Sequence, residues 1–129
     1  MKEKTTLGEG RKIRVLIVDD SDNIRNMLVR LCAGLPKLEV VGEAKDGLEA
    51  LEAIQKLKPD VVTLDIRMPK LNGLQVLKSL RDGESKPIII MLTGVTEEIY
   101  RQKCFEFGAK YVLAKGTEIN EIVRVLRAL

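Results

Sequence analysis

The sequence predicts an α/β domain, a doubly wound parallel sheet of five strands with helices on both faces. Three observations predict it. Short, nearly continuous apolar runs rich in Val, Ile and Leu recur along the chain, as strands buried on both faces require. Stretches with helical spacing of apolar residues separate them, so strands and helices alternate and the crossovers should be right-handed. The chain has 129 residues, 45% of them hydrophobic, which suits one domain with one core.

The elements follow in order. Residues 14–18 (RVLIV) form a β-branched run that stops at Asp19-Asp20-Ser21-Asp22. Ser21 or Asp22 caps the first helix, whose Ile24, Met27, Leu28 and Leu31 fall on one face before Gly34 and Pro36 end it. Residues 38–43 are a short second strand. Asp46-Gly47 opens a second helix with Leu48, Leu51, Ile54 and Leu57 on one face, and Pro59-Asp60 stops it. The third strand, residues 61–64, ends at Asp65, and Pro69 prevents it from continuing as a regular ladder. Asn72-Gly73 is a turn before a third helix with Leu74, Leu77 and Leu80 inward. Residues 87–92 (PIIIML) are the fourth strand, ending at Thr93-Gly94. Thr96 and Glu98 open a fourth helix carrying Ile99, Cys104 and Phe105 inward as far as Gly108. Residues 111–114 are the fifth strand, ending at Lys115-Gly116. Thr117 caps a last helix with Ile119, Ile122, Val123 and Leu126 inward.

Composition excludes several functions. Aromatics are 3% and Trp is absent, so the core is aliphatic. His is absent, which excludes histidine-based triads and His-ligated metals. Cys32 and Cys104 are far apart and form no CxxC pair, so they read as free thiols of a reducing compartment. No apolar run reaches the roughly 18 residues of a membrane span, and no secretory leader is visible. A cytoplasmic protein is expected. The net charge is +3, but residues 1–14 carry all of the excess. Residues 1–12 are expected to be a flexible basic arm, with the domain proper in residues 13–129. Residues 15–129 hold 17 basic and 17 acidic side chains, so the body offers no net basic surface for nucleic acid.

One polar group at a strand end is most simply a cap. Here four strands stop at polar groups, and in a parallel sheet they all open on the carboxyl edge, where ligands bind. Asp19, Asp20 and Asp65 would repel one another there unless a cation joins them. Oxygen ligands without His or thiolate point to one hard ion, Mg2+. A central carboxylate can attack phosphorus and form an aspartyl phosphate. The division of labour is then clear. Asp19 and Asp20 hold the metal, Asp65 attacks, Lys115 supplies a point charge, Thr93 donates a hydroxyl hydrogen bond, and Gly94 leaves room for the phosphoryl group.

The motifs VLIVDDSD, VVTLDIRMPKLNG, IIIMLTG and FGAKYVLAK, in that order at the ends of strands one, three, four and five, resemble the receiver domain of two-component response regulators, as in the chemotaxis receivers. The resemblance covers residues 13–129. It implies a flavodoxin-like sheet order 2-1-3-4-5, phosphorylation of Asp65 by a sensor histidine kinase, and Mg2+ held by Asp20, Asp65 and the backbone carbonyl of Arg67, with Asp19 acting partly through water. It also implies a switch in the face formed by strand four, helix four, strand five and helix five, where a downstream protein docks on a monomer or a phosphorylation-dependent dimer. Arg67 and Val95 occupy the places that tune phosphate lifetime. Val95 cannot orient water, so slow self-dephosphorylation is expected, and no activity beyond the chain's own phosphorylation and dephosphorylation.

Two positions depart from the family pattern. The aromatic expected three residues before the lysine is Val112, with Tyr111 one place earlier, and the residue after Lys115 is Gly116 rather than Pro. Strand periodicity puts Tyr111 and Val112 on opposite faces, which places the signal relay in question and leaves the chemical groups in place. Among rivals, a dinucleotide-binding domain would need G-x-G-x-x-G where Asp19-Asp20-Ser21-Asp22 stands. An aspartate-based phosphatase would carry its nucleophile after the first strand. Two alternatives stay open: a degenerate receiver serving only as an interaction module, and the receiver part of a DNA-binding transcriptional regulator.

Overall fold

A computed structural model of the protein describes residues 11–84, 86–117 and 119–129. The strands are β1 (Ile13–Val18), β2 (Leu38–Ala44), β3 (Val61–Leu64), β4 (Ile88–Thr93) and β5 (Tyr111–Ala114). Between and after them lie α1 (Asp22–Ala33), α2 (Gly47–Leu57), α3 (Gly73–Arg81), α4 (Glu98–Glu106) and α5 (Ile119–Arg127). The sheet order is β2-β1-β3-β4-β5, and every pairing is parallel. This is the doubly wound, flavodoxin-like order that the resemblance implied. Of the basic arm, residues 1–10 lie outside the described residues; Arg11 reaches the Asp60 carboxylate at 3.4 Å.

The strands alternate between two cores because their side chains alternate in direction. Leu16, Val18, Val62, Leu64, Ile89, Met91 and Val112 face one layer, built with Ala50 and Ile54 of α2, Val76 and Leu77 of α3, and Cys104 of α4. Val15, Ile17, Val61, Ile90, Leu92, Tyr111 and Leu113 face the other, built with Leu28 and Cys32 of α1 and Ile122, Val125 and Leu126 of α5. Each buried aliphatic side chain of this kind stabilises the fold by roughly 1.5–3 kcal/mol relative to its exposed state.

Helix starts follow local chemistry. Ser21, Asp46 and Asn72 cap α1, α2 and α3 by accepting from the backbone N–H groups of Ile24, Glu49 and Gln75. The Gln75 side chain returns the bond to Asn72, closing a capping box. By contrast, α4 starts at Glu98 with Glu97 at its cap position and no side-chain cap bond, so Thr96 does not open it. The residue before α5, Glu118, lies outside the described residues.

Several expected inward faces are corrected. Leu48 is 53% exposed, Ile99 60%, Phe105 42% and Ile119 53%. Leu48 and Ile119 sit in the first turns of their helices, and α4 buries Cys104 alone. In their place Val76 and Val125 are buried.

Candidate functional site

Strand register builds the site. Val18 of β1 pairs with Leu64 of β3, so the next residues, Asp19 and Asp65, leave adjacent strands side by side. On the other flank Leu64 pairs with Met91, and β4 runs two residues further to Thr93. Thr93 in turn pairs with Ala114, which brings Lys115 to the same edge. Asp19, Asp65 and Thr93 are buried, Lys115 is partly buried and Asp20 is exposed.

Three carboxylates converge. Asp19, Asp20 and Asp65 each offer an oxygen, all within 4.8 Å of one another. The Lys115 ammonium stands 2.8 Å from Asp65 Oδ2 and 3.1 Å from Asp19 Oδ2, and donates to both carboxylates. Burial works against the charge of Lys115, but its hydrogen bonds to Asp65 and Asp19 hold it above its ordinary value. Burial pushes Asp19 up, and the Ser21 N–H and Lys115 offset this only in part. A buried carboxylate left short of counter-charge beside two others is a donor set that suits a hard divalent cation.

The neighbouring backbone is closely held. Asp65 Oδ1 accepts from its own neighbour Ile66 N–H at 2.7 Å. The Gly73 N–H donates to Ile66 O at 2.7 Å, folding the β3–α3 loop back on the end of β3. A Cβ at Gly73 would lie 2.0 Å from Asp65 O, so only glycine fits. Lys70 holds a left-handed φ of 70° in this loop and lies 3.7 Å from Asp46 at the cap of α2. Thr93 Oγ1 accepts from Val95 N–H at 3.0 Å. Gly94 borders open space, with no atom within 4 Å of a Cβ placed there.

A cleft of about 400 Å³ opens over these groups, lined by Asp20, Asp65, Arg67, Gly94, Val95, Thr96, Glu97 and Lys115. An adjoining cleft shares Asp20, Arg67 and Val95 and is walled by Met68, Leu74 and Tyr100. Sequence reasoning missed Thr96, Glu97 and Tyr100; only their nearness to Thr93 in the chain signalled them. Arg67 is exposed and Val95 is buried, so Val95 is a core residue that also floors the cleft. Tyr111 packs with α5 and Val112 with the α4 side. The aromatic therefore faces away from the layer that carries α4.

The model of the response regulator receiver domain matches residues 15–127. The chain belongs to this family. It is a phosphoacceptor receiver of two-component signalling, and receivers bind Mg2+ in an acidic pocket and interact with histidine kinases and downstream effectors. The receiver is 48% identical over 102 residues to a protein-glutamate methylesterase/protein-glutamine glutaminase of Pyrococcus abyssi, covering 78% of this chain. It spans only 27% of that relative's length. The response regulator domain of Thermotoga maritima CheB is 38% identical, with a TM-score of 0.81 over 92% of each chain. A Borrelia burgdorferi complex of CheX with CheY, BeF3 and Mg2+ matches at 27% identity and a TM-score of 0.83, covering 90% of this chain and 87% of that one.

Proposed function

We propose that Asp65 is the phosphoacceptor and that the donor is a phosphohistidine of a sensor histidine kinase. The observation that carries this reading is the Lys115 ammonium bridging Asp65 and Asp19 at the mouth of the cleft. In the reaction a carboxylate oxygen of Asp65 forms a bond to phosphorus as the donor's N–P bond breaks, and the released imidazole takes a proton from solvent. Lys115 moves its hydrogen bonds toward a phosphoryl oxygen, and Thr93 turns its hydroxyl to another. Mg2+ would be held by Asp19, Asp20, Asp65 and the Arg67 carbonyl, and when bound it neutralises phosphoryl charge. The Borrelia burgdorferi complex of CheX and CheY with BeF3 and Mg2+, a similar structure, supports the same assignment here.

The exposed apolar side chains Ile99, Tyr100 and Phe105 on α4 suit a downstream protein that reads the α4–β5–α5 face, as a monomer or a phosphorylation-dependent dimer. Because Tyr111 lies on the opposite layer, the relay from Thr93 to that face runs through Val112 and the α4 side instead of an aromatic switch. Buried Val95 presents no polar group to an attacking water, which suits a long-lived phosphoaspartate. The chain turns over no substrate other than its own phosphoryl group, and it works in the cytoplasm, where an ATP-fed kinase and Mg2+ are at hand. No helix among the described residues is long and apolar enough to cross a membrane.

The test is a titration with beryllofluoride and Mg2+, followed by phosphotransfer from a small-molecule donor. Saturable binding that disappears in Asp65→Ala is the expected result. Binding that persists without Asp65, or none in the wild type, rejects the assignment.

A further inference from the structure

We propose that Arg25 is a positioning residue for the divalent cation, acting on Asp20 through the backbone; this rests on the metal site proposed above. Arg25 closes the first turn of α1, and its guanidinium uses three directions at once. Its Nε donates to Glu43 of β2 at 3.1 Å, its Nη1 donates to the backbone carbonyl of Asp19 at 2.7 Å, and its Nη2 pairs with Asp22 at the start of α1. One side chain thus ties the β1–α1 loop to a strand and to a helix start.

The gripped carbonyl matters because of peptide geometry. The Asp19 C=O and the Asp20 N and Cα lie in one plane. Fixing that oxygen therefore fixes where the Asp20 side chain begins. The following plane is held as well, because the Ser21 N–H donates to Asp19 Oδ1 at 2.9 Å. Behind the loop, the Asp19 N–H donates to Ala44 O at 3.0 Å. Asp20 is exposed, so its carboxylate takes its place in the cluster from the backbone that carries it. With both flanking planes pinned, only its own side-chain torsions remain free.

The charge arrangement agrees with this role. A guanidinium next to a cation site would repel the ion, but here two carboxylates, Asp22 and Glu43, flank it. The planar fork matches three acceptors at fixed angles, which an ammonium cannot do. Only 13% of the Arg25 side chain is exposed, so the fork is held in place by its surroundings.

The sign of the effect separates positioning from simple electrostatics. Removing a positive charge near a cation site should strengthen cation binding. Loss of positioning should weaken it, by about tenfold, since one residue's backbone must then be ordered by the ion. The experiment is a calorimetric Mg2+ titration of the full chain as wild type, Arg25→Gln and Arg25→Lys, alongside metal-free melting curves. Expected are an affinity about tenfold lower for Arg25→Gln, an intermediate loss for Arg25→Lys, and a phosphorylation rate that returns to wild type at saturating Mg2+. Equal or tighter Mg2+ binding by folded Arg25→Gln overturns the proposal, as does a rate that stays low at saturation. If Arg25→Gln does not fold, Arg25→Lys decides by the same criteria. A wild type that binds no Mg2+ rejects the metal site itself, a different failure from that of Arg25.

Discussion

Gly73→Ala perturbs the proposed acceptor, Asp65, without touching any side chain assigned to the chemistry. The added Cβ would stand 2.0 Å from the Asp65 carbonyl oxygen, 2.8 Å from its carbonyl carbon and 3.0 Å from Ile66 Cα. All three are backbone atoms, so no flexible side chain can yield. Ordinary contact begins near 3.4 Å, so the start of α3 and the end of β3 must separate by about 1.4 Å. The 2.7 Å bond from the Gly73 N–H to Ile66 O stretches or breaks in the process. Overpacking a close backbone contact of this kind costs about 3 kcal/mol, which for a domain of this size lowers Tm by roughly 10 °C. A displacement of about 1 Å at a reacting group costs on the order of a hundredfold in rate. The assay is thermal unfolding followed by phosphorylation from a small-molecule donor at a temperature where the variant is folded. An alanine variant that melts within 1–2 °C of wild type and is phosphorylated at the wild-type rate would refute the reasoning.

Asp19→Asn should raise the metal-free melting temperature at neutral pH by a few degrees while weakening Mg2+ binding. Burial raises the Asp19 pKa in the folded state, so the stability it contributes is complete below the ordinary carboxylate range and is lost as pH rises through the folded value; melting curves from pH 7 to 4 should show the gap between variant and wild type closing. Thr63→Val should stabilise the protein by about 1 kcal/mol, because the buried Thr63 hydroxyl has no hydrogen-bond partner and its neighbours Leu28, Ile90 and Leu92 are apolar; denaturant unfolding checks it, and a loss of stability would contradict it. Val95→Glu should shorten the lifetime of the phosphorylated form several-fold, by placing a water-orienting carboxylate at the floor of the cleft, and a decay time course of the phosphoprotein reads this directly.

The sheet and the acid cluster were legible in the sequence for one physical reason. Strands buried on both faces must be almost wholly apolar, so the polar group that ends each run marks the edge, and Asp19, Asp65, Thr93 and Lys115 each stand at such an edge. Helix rotation was less legible. In α4 the apolar residues Ile99, Cys104 and Phe105 are spread around the helix, and only packing against the body selects Cys104 as the inward one. Arg25 reads as an ordinary surface charge in sequence, because its three partners come from the loop, α1 and β2 and meet only in the folded chain. Val95 was legible as apolar but not as buried, since nothing local says that the chain after Thr93 turns back into the core.

The thin attachment of α4 sets an energetic asymmetry across the domain. Its only buried side chain is Cys104, and the Arg101 guanidinium adds one exposed bond, at 3.1 Å, to the Val112 carbonyl on the edge strand. The acid cluster, by contrast, rests on strand ends locked by ladders on both sides. Lifting α4 away therefore exposes little apolar surface and leaves the carboxylates where they are, whereas disturbing the carboxylates means opening the sheet. Native-state hydrogen exchange should find α4 opening as a separate unit well below the free energy of global unfolding. The domain is thus divided into a stiff half that holds chemistry and a helix that is inexpensive to displace.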